Sequence, residues 1–198
     1  MFDKIELEEI IKELSLTDNI KLDDIPNLEL YIDQVTSFIN EKFDNIKRDD
    51  NDKTLTKTMI NNYTKAKVLM PPKNKKYSKD HIILLILVYK LKNILSINDI
   101  RSLFEPILND ISIIEDNVIS LEDIYSTYTE IIDTEFSSFG AELNRKFELI
   151  KEKADKIEND KEIAELFLTI VMLVAQANAH KRLAEKLIDK YFSNPTKC

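Results

Sequence analysis

Glycine is almost missing: Gly140 is the only one in 198 residues, and there are just five prolines. Tight β-turns draw on Gly, Asn-Gly and Pro for backbone conformations that other residues adopt only with strain. The composition therefore argues against a β-rich fold with many short turns and for a mainly helical, all-α one. A lone glycine also excludes a glycine-rich phosphate loop. Cys198, the single cysteine and last residue, supplies neither an intramolecular disulfide nor a multi-cysteine metal site. The two histidines, His81 and His180, lie in different elements and lack the spacing of a zinc site. His81 reads as a structural surface residue, and His180, followed by Lys181-Arg182, as another.

Other absences concern location and chemistry. The N-terminal MFDKIELEEIIKEL is acidic where a signal peptide is basic and then apolar. The longest purely apolar run, Ile82 to Tyr89, falls far short of the roughly 20 residues that span a bilayer. A cytoplasmic protein is expected. Carboxylates are plentiful but stand in charged runs such as Glu8-Glu9 and Asp49-Asp50. Nothing points to a catalytic residue, a metal or a cofactor, and the expectation is a non-enzyme.

What the chain does have is helical periodicity. At 43% apolar and 32% charged residues it suits a folded, soluble protein. The spacing predicts a helix over residues 2–16. A second opens at Pro26-Asn27, with Asn27 as N-cap and an apolar stripe from Leu28 to Phe43. A third covers Thr56 to Ala66. A very apolar helix follows Ser78 and runs to Leu91. Another starts after Ser96, with Ser96-x-x-Asp99 as a capping box, and is ended or kinked by Pro106. The charged stretch Asp44 to Lys53 reads as a solvated loop.

From Ser120 onward the helices lengthen. Apolar residues from Leu121 to Ile157 recur at steps of three and four and pass through Gly140 in register. One long helix is preferred there; a break at the glycine is the alternative. Lys161 to Phe192 forms a second, about 48 Å long at 1.5 Å per residue, joined by a short turn and therefore antiparallel. Its middle, Leu166 to Ala179, is apolar around most of its girth and needs cover on several sides. Either the helix at 81–91 provides it, giving a monomeric bundle, or a second subunit does. A homodimer through residues 121–192 is the expectation. Two domains follow: 1–109, and a hairpin at 110–198 for dimerisation or regulation.

The charge pattern singles out one region. Between Lys53 and Lys79 stand eight lysines and no Asp or Glu, in a chain whose net charge is −8. On the helix at 56–66, Met59, Ile60 and Tyr63 form the apolar stripe, while Lys57, Asn61, Asn62, Thr64 and Lys65 form the other face. Lysine and threonine bond phosphates, and asparagine also pairs with adenine edges. Pro71-Pro72 then stiffens the chain ahead of Lys73, Lys75, Lys76 and Tyr77.

The order of these residues carries a resemblance. Ile60-Asn61-Asn62-Tyr63 through Leu69 resembles the recognition-helix pattern Leu-Arg-Tyr-Tyr-Glu-x-x-Gly-Leu-Leu of MerR-type transcription regulators. Lys75-Lys76-Tyr77-Ser78-Lys79-Asp80-His81-Ile82 resembles their wing, and Leu95 to Arg101 the opening of their next helix. With Ile25 to Ile39 added, the segment also resembles an uncharacterised bacterial family catalogued as a domain of unknown function, DUF1836. The first resemblance implies a winged helix-turn-helix with a short wing, followed here by the hairpin, and a DNA-binding transcription regulator. It implies contacts to double-stranded DNA from Thr56, Lys57, Asn61, Asn62, Tyr63, Lys65, Lys73, Lys75, Lys76 and Tyr77. Tyr63, Lys75 and Tyr77 match the family's second Tyr, wing Arg and wing Tyr. Asn61 and Asn62 replace its Arg and first Tyr. The alternative is a protein-interaction module that keeps the fold without binding DNA.

Overall fold

The computed structural model describes residues 4–46, 55–112, 120–157 and 159–193. Among them lie seven α-helices and one short antiparallel pair: α1 (Lys4–Glu13), β1 (Leu30–Tyr31), α2 (Ile32–Lys42), α3 (Lys57–Lys65), β2 (Lys76–Tyr77), α4 (Lys79–Leu91), α5 (Ile97–Ser112), α6 (Leu121–Ala154) and α7 (Lys161–Tyr191). The fold is mainly helical. Most of the charged loop, residues 47–53, lies outside the described residues.

The chain forms two compact units, and packing does not follow the 1–109 and 110–198 division. One comprises Met1–Asn19 with Glu130–Arg182; the other comprises Ile20–Thr129 with Leu183–Cys198. Thus α1 belongs with the hairpin, and α6 and α7 each contribute residues to both units.

The larger unit is built around α4. Ile82 to Ile86 and Val88 are almost wholly buried, as a helix apolar on every side requires. Around it pack Val35, Ile39 and Phe43, Ile60 and Tyr63, Ile100 and Phe104, Leu121 and Tyr125, and Ile188. The Tyr125 hydroxyl donates to the Ile20 carbonyl at 2.5 Å, and burial holds its acidity well below that of a free phenol. The capping box at Ser96 and Asp99 is present: the Ser96 amide donates to Asp99 Oδ2 at 3.1 Å and the Asp99 amide to Ser96 Oγ at 3.2 Å.

Two expectations need correction, and a third, that Pro106 ends or kinks its helix, is narrowed. The second helix starts at Ile32, not Asn27, because residues 30–31 are drawn into a strand paired with β2. Pro106 sits inside α5 without ending it. Leu103 and Phe104 before the proline and Ile107 and Leu108 after it all pack on the same core, which offsets the lost backbone hydrogen bond. His81 is buried, not superficial.

The smaller unit joins α1 to the central parts of α6 and α7. Leu7, Leu143 and Phe147 form its buried centre, with Ile11, Phe139, Met172 and Leu173 against them. The two long helices run antiparallel: Lys161 is ion-paired with Asp155 beside the turn, and Lys146 reaches Gln176 farther along. Of the two alternatives at Gly140, the structure has the continuous helix, and a Cβ there would meet nothing within 4 Å. Asn144 donates to Glu8 at 2.8 Å, tying α1 to α6. The apolar middle of α7 is largely exposed.

Candidate nucleic-acid interface

Helix α3 owes its position to its two ends and to one amide. Thr56, in extended conformation, accepts from the Met59 amide at 3.2 Å and caps the start. The Asn40 side chain on α2 grips the preceding peptide from both sides. Its Oδ1 accepts from the Leu55 amide at 3.0 Å, and its Nδ2 donates to the Leu55 carbonyl at 3.1 Å. Ile60 and Tyr63 face inward to the core that also holds Val35 and Ile39. The far end closes with the Val68 amide on the Tyr63 carbonyl and the Lys67 amide on the Thr64 carbonyl. Lys67, at φ 58°, fills the left-handed position that glycine usually takes.

Chain direction then reverses in a two-residue turn. Lys73 and Lys76 exchange both backbone hydrogen bonds, at 3.1 and 2.9 Å. Asn74 and Lys75 between them have φ of 51° and 64°, the pattern of a primed hairpin turn that normally carries Asn-Gly. The returning strand β2 pairs with β1, Leu30 opposite Tyr77 and Tyr31 opposite Lys76. The Lys76 ammonium lies over the Tyr31 ring, 5.7 Å from its centre.

The structure divides the ten residues singled out by sequence. Lys57, Asn61, Asn62 and Lys65 are exposed on the outer face of α3, and Lys73 and Lys75 are exposed at the turn. Lys57 is ion-paired with Asp33 of α2, both well solvated, a contact of small energetic weight. Thr56 and Lys76 are half-buried. Tyr63 and Tyr77 are buried in the core, and burial raises the pKa of each phenol. Tyr77 packs edge-on against His81 at 5.4 Å.

His81 is part of the frame. Its Nδ1 accepts from the Ser78 amide at 3.1 Å and contacts Ser78 Oγ at 2.8 Å, doing at the start of α4 what Glu does in a capping box. That bond places the proton on Nε2, which is buried without a hydrogen bond of ordinary geometry. Burial depresses the histidine pKa, with the Pro71 carbonyl acting in the opposite direction. The signal in the sequence is Ser78-x-x-His81, a serine followed at the capping-box spacing by an acceptor.

Sequence reasoning also missed a cleft of about 530 Å³ beside the end of α3, lined by Thr64, Lys67, Leu69, Met70, Pro71, Arg101, Glu105 and Leu108. It brings Arg101 of α5 near the lysine-rich segment, from outside the acid-free stretch. On the other side of that segment, Lys79 is held by Glu122 at 2.9 Å.

Residues 20–128 match the family described as Domain of unknown function (DUF1836). The match takes in more than half of the chain, and the chain belongs to this family. Its limits fall within a residue of the Ile20–Thr129 segment of the larger unit, so the family is defined on the unit that carries α3 and the turn. No curated protein and no solved structure matches the chain significantly.

Proposed function

We propose that this member of the DUF1836 family is a DNA-binding transcription regulator of MerR-like, winged helix-turn-helix type. Helices α2 and α3 are its helix-turn-helix, with α3 entering the major groove, and the Asn74-Lys75 turn is its short wing. The observation that carries the reading is Lys75. It keeps a positive φ at a tip where glycine costs nothing, and it is exposed there beside Lys73. Backbone strain retained at an exposed cationic tip fits a role for the charge. The outer face of α3 adds Lys57, Asn61, Asn62 and Lys65, in a segment free of carboxylates within an acidic protein. The buried tyrosines act by positioning this face.

The protein acts in the cytoplasm, as a homodimer whose two-fold axis matches paired half-sites. The test is titration with duplex DNA at several salt concentrations. About five phosphate contacts imply a log–log slope of roughly −4 to −5. Absence of binding at low salt overturns the reading in favour of a protein-interaction module.

A further inference from the structure

Nothing in the folded chain requires Gly140 to be a glycine. Its φ is not positive, so the backbone makes no demand, and a Cβ there would meet nothing within 4 Å, so packing makes none either. Inside a helix glycine is about 1 kcal/mol less favourable than alanine. The chain accepts that cost at the one position where it keeps a glycine, and the position lines a cleft.

This cleft, of about 510 Å³, is lined by α1 and α6 within the smaller unit. Ser137, Gly140, Ala141 and Asn144 recur at helical steps on one face of α6, and their small side chains leave its backbone open. Ile11 and Phe136, both half-buried, line it beside them. Its polar groups are incompletely matched. Asn144 donates from Nδ2 to Glu8 Oε1 at 2.8 Å; the reverse orientation would set oxygen against carboxylate, so Glu8 fixes the amide. Oδ1 of Asn144 is thereby left buried without a hydrogen-bond partner, at a cost of about 1–3 kcal/mol. Lys4 stands 3.9 Å from Glu8 Oε1, both solvated, a contact of small weight. Lys12, one turn beyond Glu8 on α1, is exposed at the cleft and has no ion-pair partner among the described residues.

We propose that this cleft binds an aromatic α-amino acid. The ligand's ammonium donates to the Glu8 carboxylate and to Asn144 Oδ1, supplying the hydrogen bond that the chain itself lacks. Its carboxylate pairs with Lys12. Residues four apart on a helix have Cβ atoms about 5–6 Å apart, a spacing that the two charged groups of one amino acid bridge. The ring lies over Gly140 and Ala141 with Phe136 at its edge, in the volume that a methyl on Gly140 would take. A bare amine would leave Lys12 unanswered, and a bare acid would leave Asn144 unanswered; a zwitterion answers both. The site draws on no residue of α3 or of the lysine turn, and it stands whether or not the chain binds DNA.

The experiment is isothermal titration calorimetry of the full chain, without DNA, using L-phenylalanine as probe. One site per chain is expected, and no saturable heat at millimolar ligand overturns the proposal. Phenethylamine lacks the carboxylate and 3-phenylpropionate lacks the ammonium. Each is expected to bind at least about tenfold more weakly, the worth of one charged hydrogen bond; equal binding of either sinks the zwitterion. Gly140→Ala is expected to raise Tm and to weaken L-phenylalanine about tenfold. Unchanged affinity removes the ring from the glycine, and a lowered Tm shows that the glycine serves the fold, which also overturns the argument. Lys12→Ala is expected to weaken L-phenylalanine while leaving phenethylamine unaffected; equal losses for the two detach Lys12 from the carboxylate. DNA titration is a separate measurement, so loss of the regulator reading and loss of this site are told apart.

Discussion

Lysine does what glycine usually does in this chain. Lys67 and Lys75 both have φ near 60°, a region that costs a residue with a Cβ roughly 1–2 kcal/mol. Only the first has a reason confined to folding, since it ends α3. Lys67→Gly is expected to raise stability in chemical denaturation by about 1 kcal/mol. Lys75→Gly should stabilise similarly, yet lower DNA affinity and flatten its salt dependence by about one contact. A gain in stability with affinity unchanged would detach Lys75 from DNA. His81 supplies a pH dependence. Its pKa is depressed in the folded chain, so its contribution is complete above about 6.5, the ordinary histidine value, and is lost as pH falls through the lower folded value. Asp80 beside it is shifted upward by burial, then by Glu122, and works in the opposite direction. The unmodified chain should therefore lose more Tm between pH 7.5 and 5.5 than His81→Gln, which keeps an acceptor for the Ser78 amide; equal losses would clear the histidine. None of this was legible beforehand, because backbone sign and burial depend on packing that no local pattern reports.

The elements were easier to read than the residues. Apolar steps located α3, α4, α6 and α7 to within a few residues, and the capping box at Ser96 located α5, since helix periodicity and capping are local properties of the chain. The β1–β2 pair was invisible, being two residues a side and formed between segments remote in sequence. So was the hold of Asn40 on Leu55, which depends on α2 and the entry to α3 meeting in space. Asn40→Ala leaves a half-buried peptide without partners and is expected to cost about 1–3 kcal/mol. It should also weaken DNA binding beyond that loss of stability, because α3 would no longer be held in register with α2. On α3 itself, Asn61→Ala is expected to change preference among DNA sites, whereas Lys75→Glu with Lys76→Glu should weaken all sites alike. Competition assays with several duplexes separate the two patterns, and identical effects would remove Asn61 from base contact.

Over the whole molecule, charge and apolarity are each segregated. An acid-free, lysine-bearing segment lies in the unit on which the family is defined, and an outward apolar seam lies in the other. The first was legible from the sequence because eight lysines without a carboxylate stand in one stretch. The second was legible as excess girth on residues 166–179, but not as an inverted helix. Its outward side became clear only once Glu165 and Thr169 were found buried and Ile163, Phe167, Ile170 and Val174 exposed. The packing also bears on how the protein melts. Leu121 and Tyr125 of α6 and Ile188 of α7 complete the core of one unit, while Leu143, Phe147 and Met172 of the same two helices complete the other. Neither unit can lose its core without fraying a rod that the other depends on. Cooperativity is thereby written into two uninterrupted helices, and calorimetry is expected to record a single unfolding transition, with calorimetric and van't Hoff enthalpies equal. Two resolved transitions would mean that the rods part near residues 129 and 183. The same continuity leaves no clean place to cut: a fragment ending at 109 would keep α3 and the turn, yet forfeit Tyr125 and Ile188 and the apolar surface they cover.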